Sequence, residues 1–228
     1  MALKQPYQSQ SNRIATYEWS DLASGKSYQT FYGGYALTAG YFLSTTAVKS
    51  GYQQQWGDIG MTTTTGDLVS GVSKLIDVDF DTTFTTPQTI DGDCFINFTV
   101  GLAGRTGTAV QSEPWVVVQA LKNGSHLVSG STIAQPMALT ATTANPHSHE
   151  EALNITIPKT IFAIGDTLRF TVEVWGGKTG GVNSGRLGLA HDGADRNDQI
   201  INAEAGKTIE DADSTQLNFI VPFSTIDA

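Results

Sequence analysis

The densest group of side chains that could do chemistry lies at residues 191–198, with the sequence HDGADRND. Asp192, Asp195 and Asp198 follow one another at intervals of three residues. Oxygen-rich loops of this kind can hold Ca²⁺, a hard cation, although the EF-hand uses alternate positions instead. A solvated turn with an Asp–Arg pair, or an intersubunit salt bridge through Arg196, explains the same residues. We expect the turn and assign no metal, keeping the three aspartates as candidate ligands.

A second polar group contains His147 and His149, followed by Glu151. Two histidines two positions apart on an extended segment point to the same side, and the glutamate could add an oxygen ligand. Zinc sites have about three or four protein ligands, so this group is too small for a complete set. The preceding Asn145 and Pro146 indicate an exposed polar loop, which is the interpretation we adopt.

Recognisable catalytic signatures are missing from the sequence. Ser70 and Ser129 lack the leading glycine of the G-x-S-x-G nucleophile turn. Asp77, Asp79 and Asp81 line up on one strand face, but nothing in the pattern raises the pKa of one above another, as glycosidase chemistry requires. No Walker A motif and no dinucleotide-binding G-x-G-x-x-G occurs. We therefore expect a protein that is not an enzyme and that has no cofactor.

Aromatic residues crowd the first quarter of the chain. Their use is open between core packing, a protein interface and a flat platform for a sugar, since aromatic side chains bury much area at low entropic cost. The group includes Tyr17, Trp19, Tyr28, Phe31, Tyr32, Tyr35, Tyr41, Phe42, Tyr52 and Trp56. The interface candidates that we take from the sequence are Trp19, Phe31, Tyr32, Tyr35, Trp56 and Arg196.

The charge of the chain limits its partners. The 228 residues include 13 Lys and Arg against 22 Asp and Glu, which gives a formal charge of −9. Binding a phosphate backbone needs clustered basic residues, so we expect no direct nucleic-acid binding, and a basic protein surface is the more suitable partner. Charged residues are only 15%, below the ~25% of an average globular protein, so uncharged polar residues must cover the surface.

Compartment signals are few. The lone Cys94 cannot form an internal disulfide, and we expect a buried, inert thiol. The first residues contain no apolar stretch typical of a signal peptide. No run approaches the ~18 apolar residues of a membrane span. We therefore expect no membrane partner.

The elements that must position these residues are strands. Apolar and polar residues alternate in 75–84, 94–102, 167–175 and 217–223, and a period of two predicts strands with one buried and one wet face. Asn123-Gly124 between two apolar runs predicts a hairpin turn. About nine strands without βαβ alternation predict an all-β fold, an antiparallel β-sandwich of the jelly-roll type.

Two segments have no periodic pattern. Residues 1–13 are polar and are predicted to form an extended N-terminal arm, which leaves 14–228 as one β-sandwich domain. Residues 49–67 contain several glycines and a run of threonines and are predicted to form a long surface loop, of the kind that often carries function.

Three stretches together resemble structural proteins of tailed phages, of the capsid decoration or head-fibre type. They are 17–34 (YEWSDLASGKSYQTFYGG), 161–196 (IFAIGDTLRFTVEVWGG and GRLGLAHDGADR) and 215–223 (TQLNFIVPF). The resemblance implies a jelly-roll virion protein assembled in the host cytoplasm, and it transfers no site residue.

Two functions from different classes follow. The first is a non-enzymatic capsid decoration or minor capsid protein that acts through subunit contacts. It would bind the major capsid protein or other virion proteins and form a homo-oligomer, such as a trimer. The alternative is a carbohydrate- or receptor-binding β-sandwich module of a phage fibre, which the aromatic N-terminal quarter and the 49–67 loop favour.

Overall fold

The fold of the protein comes from a computed structural model. It describes residues 25–36, 40–46, 63–104, 108–128, 132–133, 136–142, 147–180, 185–190 and 217–224. Within these ranges the regular secondary structure is entirely β, as predicted. The strands are β1 (Lys26–Ala36), β2 (Gly40–Ser44), β3 (Thr63–Asp67), β4 (Ser73–Thr83), β5 (Gln88–Gly104), β6 (Val110–Ser112), β7 (Trp115–Lys122), β8 (Ser125–His126), β9 (Thr132–Ile133), β10 (Leu139–Ala141), β11 (His147–Phe162), β12 (Thr167–Gly176), β13 (Lys178–Gly180), β14 (Gly185–Ala190) and β15 (Leu217–Ser224).

Alternating burial shows why these segments are strands. In β4, Ile76, Val78 and Phe80 are at most 5% exposed, whereas the aspartates between them face outward. The side-chain period of an extended chain is two, so each apolar residue reaches the core and each polar one reaches water. In the described part of the chain no helix is long and apolar enough to cross a membrane.

Twelve strands form one hydrogen-bonded order, β3-β14-β5-β15-β1-β2-β4-β12-β7-β8, with β11 beside β5 and β9 beside β7. Phe219 of β15 and Phe170 of β12 lie four places apart in that order, yet their ring centroids are 4.6 Å apart. A flat sheet would separate them by roughly 19 Å. The order therefore folds over itself into the predicted β-sandwich.

Each layer of the sandwich consists of a different set of strands. The first layer is β11, β5, β15 and β1, with β14 continuing the line of β15 along β5; the second layer is β4, β12 and β7. β2 joins them, because it pairs antiparallel with β1 and parallel with β4 at Phe42 and Asp81. The pairs are otherwise antiparallel within this order, and β10, β6 and β13 make a small separate sheet.

One hydrophobic core lies between the layers. Its largest fully buried side chains are Phe80, Phe98, Phe162, Phe170, Phe219, Ile90, Ile96, Leu102, Leu139, Ile157, Leu168 and Leu187. Cys94 is 0% exposed, and burial raises the pKa of its thiol. The prediction that the Cys94 thiol is buried is confirmed.

Two predicted loops are partly strand. The predicted surface loop at 49–67 ends in β3, which pairs with β14, because β-branched threonines suit a strand. The predicted polar loop at His147 to Glu151 is the start of β11, and its residues pair with β5. The sequence did not reveal this start of β11, because its residues are polar and exposed or partly exposed. They therefore show no alternation of apolar and polar side chains.

Candidate functional site

The outer face of the second layer, named here the charged face, carries the aspartates that the sequence placed on one side of a strand. They meet the outward side chains of β12, whose residues pair directly with β4, and β7 completes the face. Its charged, polar and aromatic residues are Lys74, Asp77, Asp79, Asp81, Trp115, Gln119, Arg169, Thr171, Glu173 and Trp175, and the nearly buried Val117 and Leu121 of β7 lie in the same rows.

Arg169 is the centre of the hydrogen bonding on the charged face. Its Nε and Nη2 donate to the two oxygens of Asp81, each at 2.7 Å, and its Nη1 donates to Asp79 at 2.7 Å. Thr171 donates to the other Asp79 oxygen at 2.6 Å. Hydrogen bonds to Asp81 raise the pKa of the guanidinium. The planar guanidinium thus bridges two carboxylates that lie two positions apart on one strand.

Glu173 belongs to a second group of hydrogen bonds on the charged face and is only 9% exposed. Lys74 Nζ donates to Glu173 Oε1 at 3.1 Å and to Asp77 at 2.6 Å. These hydrogen bonds, with Asp77 the larger cause, raise the pKa of Lys74. Trp175 Nε1 donates to Glu173 Oε2 at 2.7 Å. Both oxygens of this nearly buried carboxylate are therefore hydrogen-bonded within the face.

Two indole rings end the charged face. Trp115 and Trp175 are directly opposite on β7 and β12, and their rings are nearly parallel, at 9°, with centroids 6.5 Å apart. Both are partly exposed. Parallel, offset rings on adjacent strands give a flat apolar surface beside a carboxylate.

The outer face of the first layer, named here the uncharged face, has a different chemistry. Two rows cross its four strands, as the pairing of β1, β15, β5 and β11 shows. No charged side chain stands in either row. The residues of the uncharged face are Thr30, Ile220, Phe95 and Asn154 in one row, and Tyr32, Asn218, Asn97 and Ala152 in the other.

Phe95 is the most exposed aromatic residue on the uncharged face, at 43%. Ile220, its neighbour on β15, and Tyr32, on β1 in the other row, are partly exposed. Asn97 Nδ2 donates to Asn218 Oδ1 at 2.8 Å, and Asn218 is only 3% exposed. This hydrogen bond joins the two amides across β5 and β15, and the neighbouring Phe95 and Ile220 add exposed apolar surface to the face.

The structure separates the predicted interface residues. Phe31 lies in the core at 4% exposure, with its ring 6.2 Å from that of Phe223, whereas Tyr32 points to the uncharged face. Tyr35 pairs with Tyr41 at the end of β1. Trp19, Trp56, Arg196, the aspartates Asp192, Asp195 and Asp198, and the predicted arm at 1–13 lie outside the described residues.

The histidine pair does have a shared side, as predicted, but its atoms are used locally. The backbone nitrogen of Thr140 donates to His147 Nδ1 at 3.3 Å, and His149 Nε2 lies 3.4 Å from Glu151. Within the described ranges no three His, Cys, Asp or Glu residues are grouped to hold a metal.

Sequence reasoning missed Phe95 and Ile220. A signal for both exists, since each interrupts the alternation of its strand: Phe95 stands in the polar phase with Asn97, and Ile220 stands between the buried Phe219 and Val221. An apolar residue in the polar phase of a strand indicates an apolar outer face.

Solved structures with a similar fold include hydrolases and virus particles. A CocE/NonD family hydrolase from Staphylococcus aureus is 11% identical with a TM-score of 0.47, over 88% of this chain and 37% of that one. An alpha-amino acid ester hydrolase is 13% identical with a TM-score of 0.46, over 86% and 36%. The infectious bursal disease virus Gx strain is 11% identical with a TM-score of 0.32, over 80% and 40%. This chain thus spans well under half of each.

These likenesses concern the fold alone. No protein-family model matches the chain, and no curated protein matches it. The sequence-based prediction that the chain is not an enzyme is contradicted, since hydrolases are among the solved structures that the chain resembles. The similar solved structures also include a virus particle. The sequence resemblance was to structural proteins of tailed phages, and none of the three structures named here is from a tailed phage.

Proposed function

We propose that the chain is a structural protein of a virus particle, of the capsid decoration or minor capsid type, that acts through contacts between subunits. The uncharged face is the observation that carries the proposal. The sequence resemblance to tailed-phage structural proteins supports a tailed phage as the kind of virus particle.

The two outer faces support this proposal by their contrast. Lys74, Arg169 and four carboxylates stand on the charged face, whereas the two rows of the uncharged face hold none. The centres of protein interfaces are depleted of charge and enriched in aromatic residues, with a polar rim. The uncharged face has this arrangement, because Asp93 and Glu150 stand in the rows on either side of it.

The net charge indicates which partner fits. A formal charge of −9 favours association with a basic surface of the major capsid protein or another virion protein. In this proposal the chain resides in the virion, and further copies of it, in a trimer for example, contribute to the contact.

A substitution on each face tests the proposal. Phe95→Glu places a charge at the centre of the uncharged face, and we expect binding to density-purified particles of the encoding virus to weaken at least about tenfold, since burying an unpaired carboxylate is costly. The matched control is Gln119→Glu, which adds the same charge to the charged face and should bind as the unsubstituted chain does.

Co-sedimentation with the particles measures both variants, and mass spectrometry of the particles shows whether the natural chain is present. Particles without the chain, or equal co-sedimentation of the two variants, would contradict the proposal. Circular dichroism of Phe95→Glu confirms that the variant is folded.

A carbohydrate-binding function is the second candidate, and the paired indoles of Trp115 and Trp175 favour it. Sugars stack their apolar faces on such rings, and Glu173 lies beside them. A glycan array should give hits that disappear in Trp115→Ala and persist in Phe95→Glu. An array without any hit for the natural chain would exclude this candidate.

A further inference from the structure

The turn at Asn123 and Gly124 holds two residues that can react with each other. Of the nine asparagines in the chain, only Asn123 is followed by glycine. Glycine has no Cβ, so its backbone nitrogen can approach the side-chain amide of the preceding residue with the least hindrance. Both residues are exposed, and water therefore reaches them.

We propose that Asn123 is a deamidation site that the fold keeps unreactive, so that its modification records an opening of the junction between β7 and β12. The junction consists of residues 122–124 and 163–167. It lies at the end of the second layer, and the proposal does not depend on particle binding through the uncharged face.

The reaction uses only the chain and water. The backbone nitrogen of Gly124 loses its proton and bonds to Cγ of Asn123, while the Cγ–Nδ2 bond breaks and Nδ2 leaves with that proton as ammonia. The product is a five-membered succinimide. One water then adds to either of its two carbonyl carbons, and the ring opens to aspartate or isoaspartate at position 123.

The folded junction fixes both atoms of the Asn123 side-chain amide. Nδ2 donates to Asp166 Oδ1 at 2.7 Å, and Oδ1 accepts from the backbone nitrogen of Thr167 at 2.8 Å. The backbone nitrogen of Asn123 also donates to the carbonyl oxygen of Thr167 at 3.0 Å. Cyclisation moves both amide atoms, so these hydrogen bonds oppose it.

Asp166, the acceptor of the Asn123 amide, is itself held in place. Lys122 Nζ lies 2.9 Å from Asp166 Oδ2, and the backbone nitrogen of Ala163 donates to the same oxygen at 2.8 Å. Asn123 and Gly124 both have positive φ, as a tight hairpin turn requires. The reaction therefore needs a local opening of the junction, and its rate follows the fraction of chains that are open.

Neither product restores the junction. Hydrogen bonds, first from Asn123 and then from Lys122, lower the pKa of Asp166 to about 2, so Asp166 is charged at neutral pH. Aspartate at position 123 replaces the donor Nδ2 with a second carboxylate oxygen, and the two like charges repel. Isoaspartate adds a methylene to the backbone of the two-residue turn. Modified chains should therefore open more readily than natural ones.

Mass spectrometry of the peptide that contains Asn123 measures the rate. The full chain is incubated at mildly alkaline pH, once folded and once in guanidinium chloride, and deamidation is followed as the mass gain of that peptide. We expect the unfolded chain to deamidate at least about tenfold faster, since only the open fraction of the folded chain reacts. Equal rates in the two solutions would overturn the proposal.

Asp166→Ala tests whether the junction is the restraint. It removes the acceptor of the Asn123 amide, so the folded variant should deamidate at least about threefold faster than the natural chain. The matched control is Asp93→Ala, which removes a carboxylate and its hydrogen bond from Thr156 on the first layer and should keep the natural rate. Circular dichroism shows whether both variants are folded, and equal rates in the two folded variants would contradict the restraint.

A reciprocal exchange tests the effect of the modification on stability. Asn123→Asp reproduces one product and should lower the urea midpoint of unfolding, because two carboxylates then face each other. Adding Asp166→Asn exchanges donor and acceptor, since the amide now at position 166 can donate to the carboxylate at position 123. The double variant should recover most of the lost midpoint. A double variant as unstable as Asn123→Asp would refute the proposed effect on the junction.

Discussion

At the scale of single residues, the charged side chains of the described structure are hydrogen-bonded to one another. Arg169 is held by both oxygens of Asp81 and by Asp79, and Asp166 is held by the side chains of Asn123 and Lys122 and by the Ala163 backbone. Groups that are fixed and neutralised in this way stabilise the folded chain, although each pair near the surface contributes little because water and salt screen it.

Replacing Arg169 tests how much its fork contributes. Arg169→Ala should lower the free energy of unfolding by about 1 kcal/mol, because it removes three hydrogen bonds and leaves two like charges side by side. Arg169→Lys keeps the charge but not the fork, and should cost less. Urea unfolding measures both, and the loss should shrink at about 1 M salt; a loss that salt does not reduce would contradict an electrostatic origin.

Asp166 makes stability depend on pH. Hydrogen bonds from Asn123 and then Lys122 lower its pKa from 3.8 to about 2. Because the folded-state pKa is the lower one, this stabilisation is complete above about pH 4 and is lost as the pH falls toward 2. The difference in urea midpoint between the natural chain and Asp166→Asn should therefore be present at pH 7 and close over that interval. A gap that is constant from pH 7 to 2 would show that the ionised form is not the cause.

At the scale of elements, the β7–β8 hairpin shows how a local signal fixes structure. Asn123 and Gly124 have φ of 49° and 80°, the pair of positive values that the Asn-Gly sequence predicts for this turn. The Asn123 side chain also donates to Asp166 at 2.7 Å and accepts from the Thr167 backbone at 2.8 Å. The turn therefore connects β7 to the start of β12.

Gly124→Ala isolates the backbone contribution of this turn. A Cβ there would meet nothing within 4 Å, so the cost is the left-handed conformation alone, about 1 kcal/mol. Chemical denaturation should show this loss, with Ser125→Ala, at the neighbouring exposed position, close to neutral. An equal effect of both substitutions would refute the strain argument.

At the scale of the whole molecule, rings from opposite layers hold the sandwich together. Phe219 packs with Phe170 and with Phe80, at centroid distances of 4.6 and 6.0 Å. The layers thus depend on contacts between strands that are distant in the pairing order.

Phe219→Ala should destabilise the chain by about 3–5 kcal/mol, because it removes a fully buried ring and leaves a cavity between the layers. The same substitution at the exposed Phe95 should cost well under half of that. Thermal or urea unfolding compares the two. Similar losses at both positions would mean that Phe219 does not join the layers.

Most of the long strands are predictable from the order of the amino acids alone. Alternation in 75–84, 94–102 and 167–175 is a property of neighbouring residues, so it predicts an extended segment and its buried side without any knowledge of the partner. The short strands β6, β9 and β10 have too few residues for an alternation of apolar and polar side chains to be visible. For the same reason β3 was included in the predicted loop at 49–67.

Which polar strand faces become neighbours depends on the tertiary structure. Arg169 and Asp81 are 88 residues apart, and nothing in either strand specifies that they become neighbours, because strand order follows from the packing of both layers around one core. The same packing gathers charges on one outer face and leaves Phe95 and Ile220 together on the other. Local periodicity determines the side of the strand to which a side chain points, whereas its spatial neighbours depend on the whole fold.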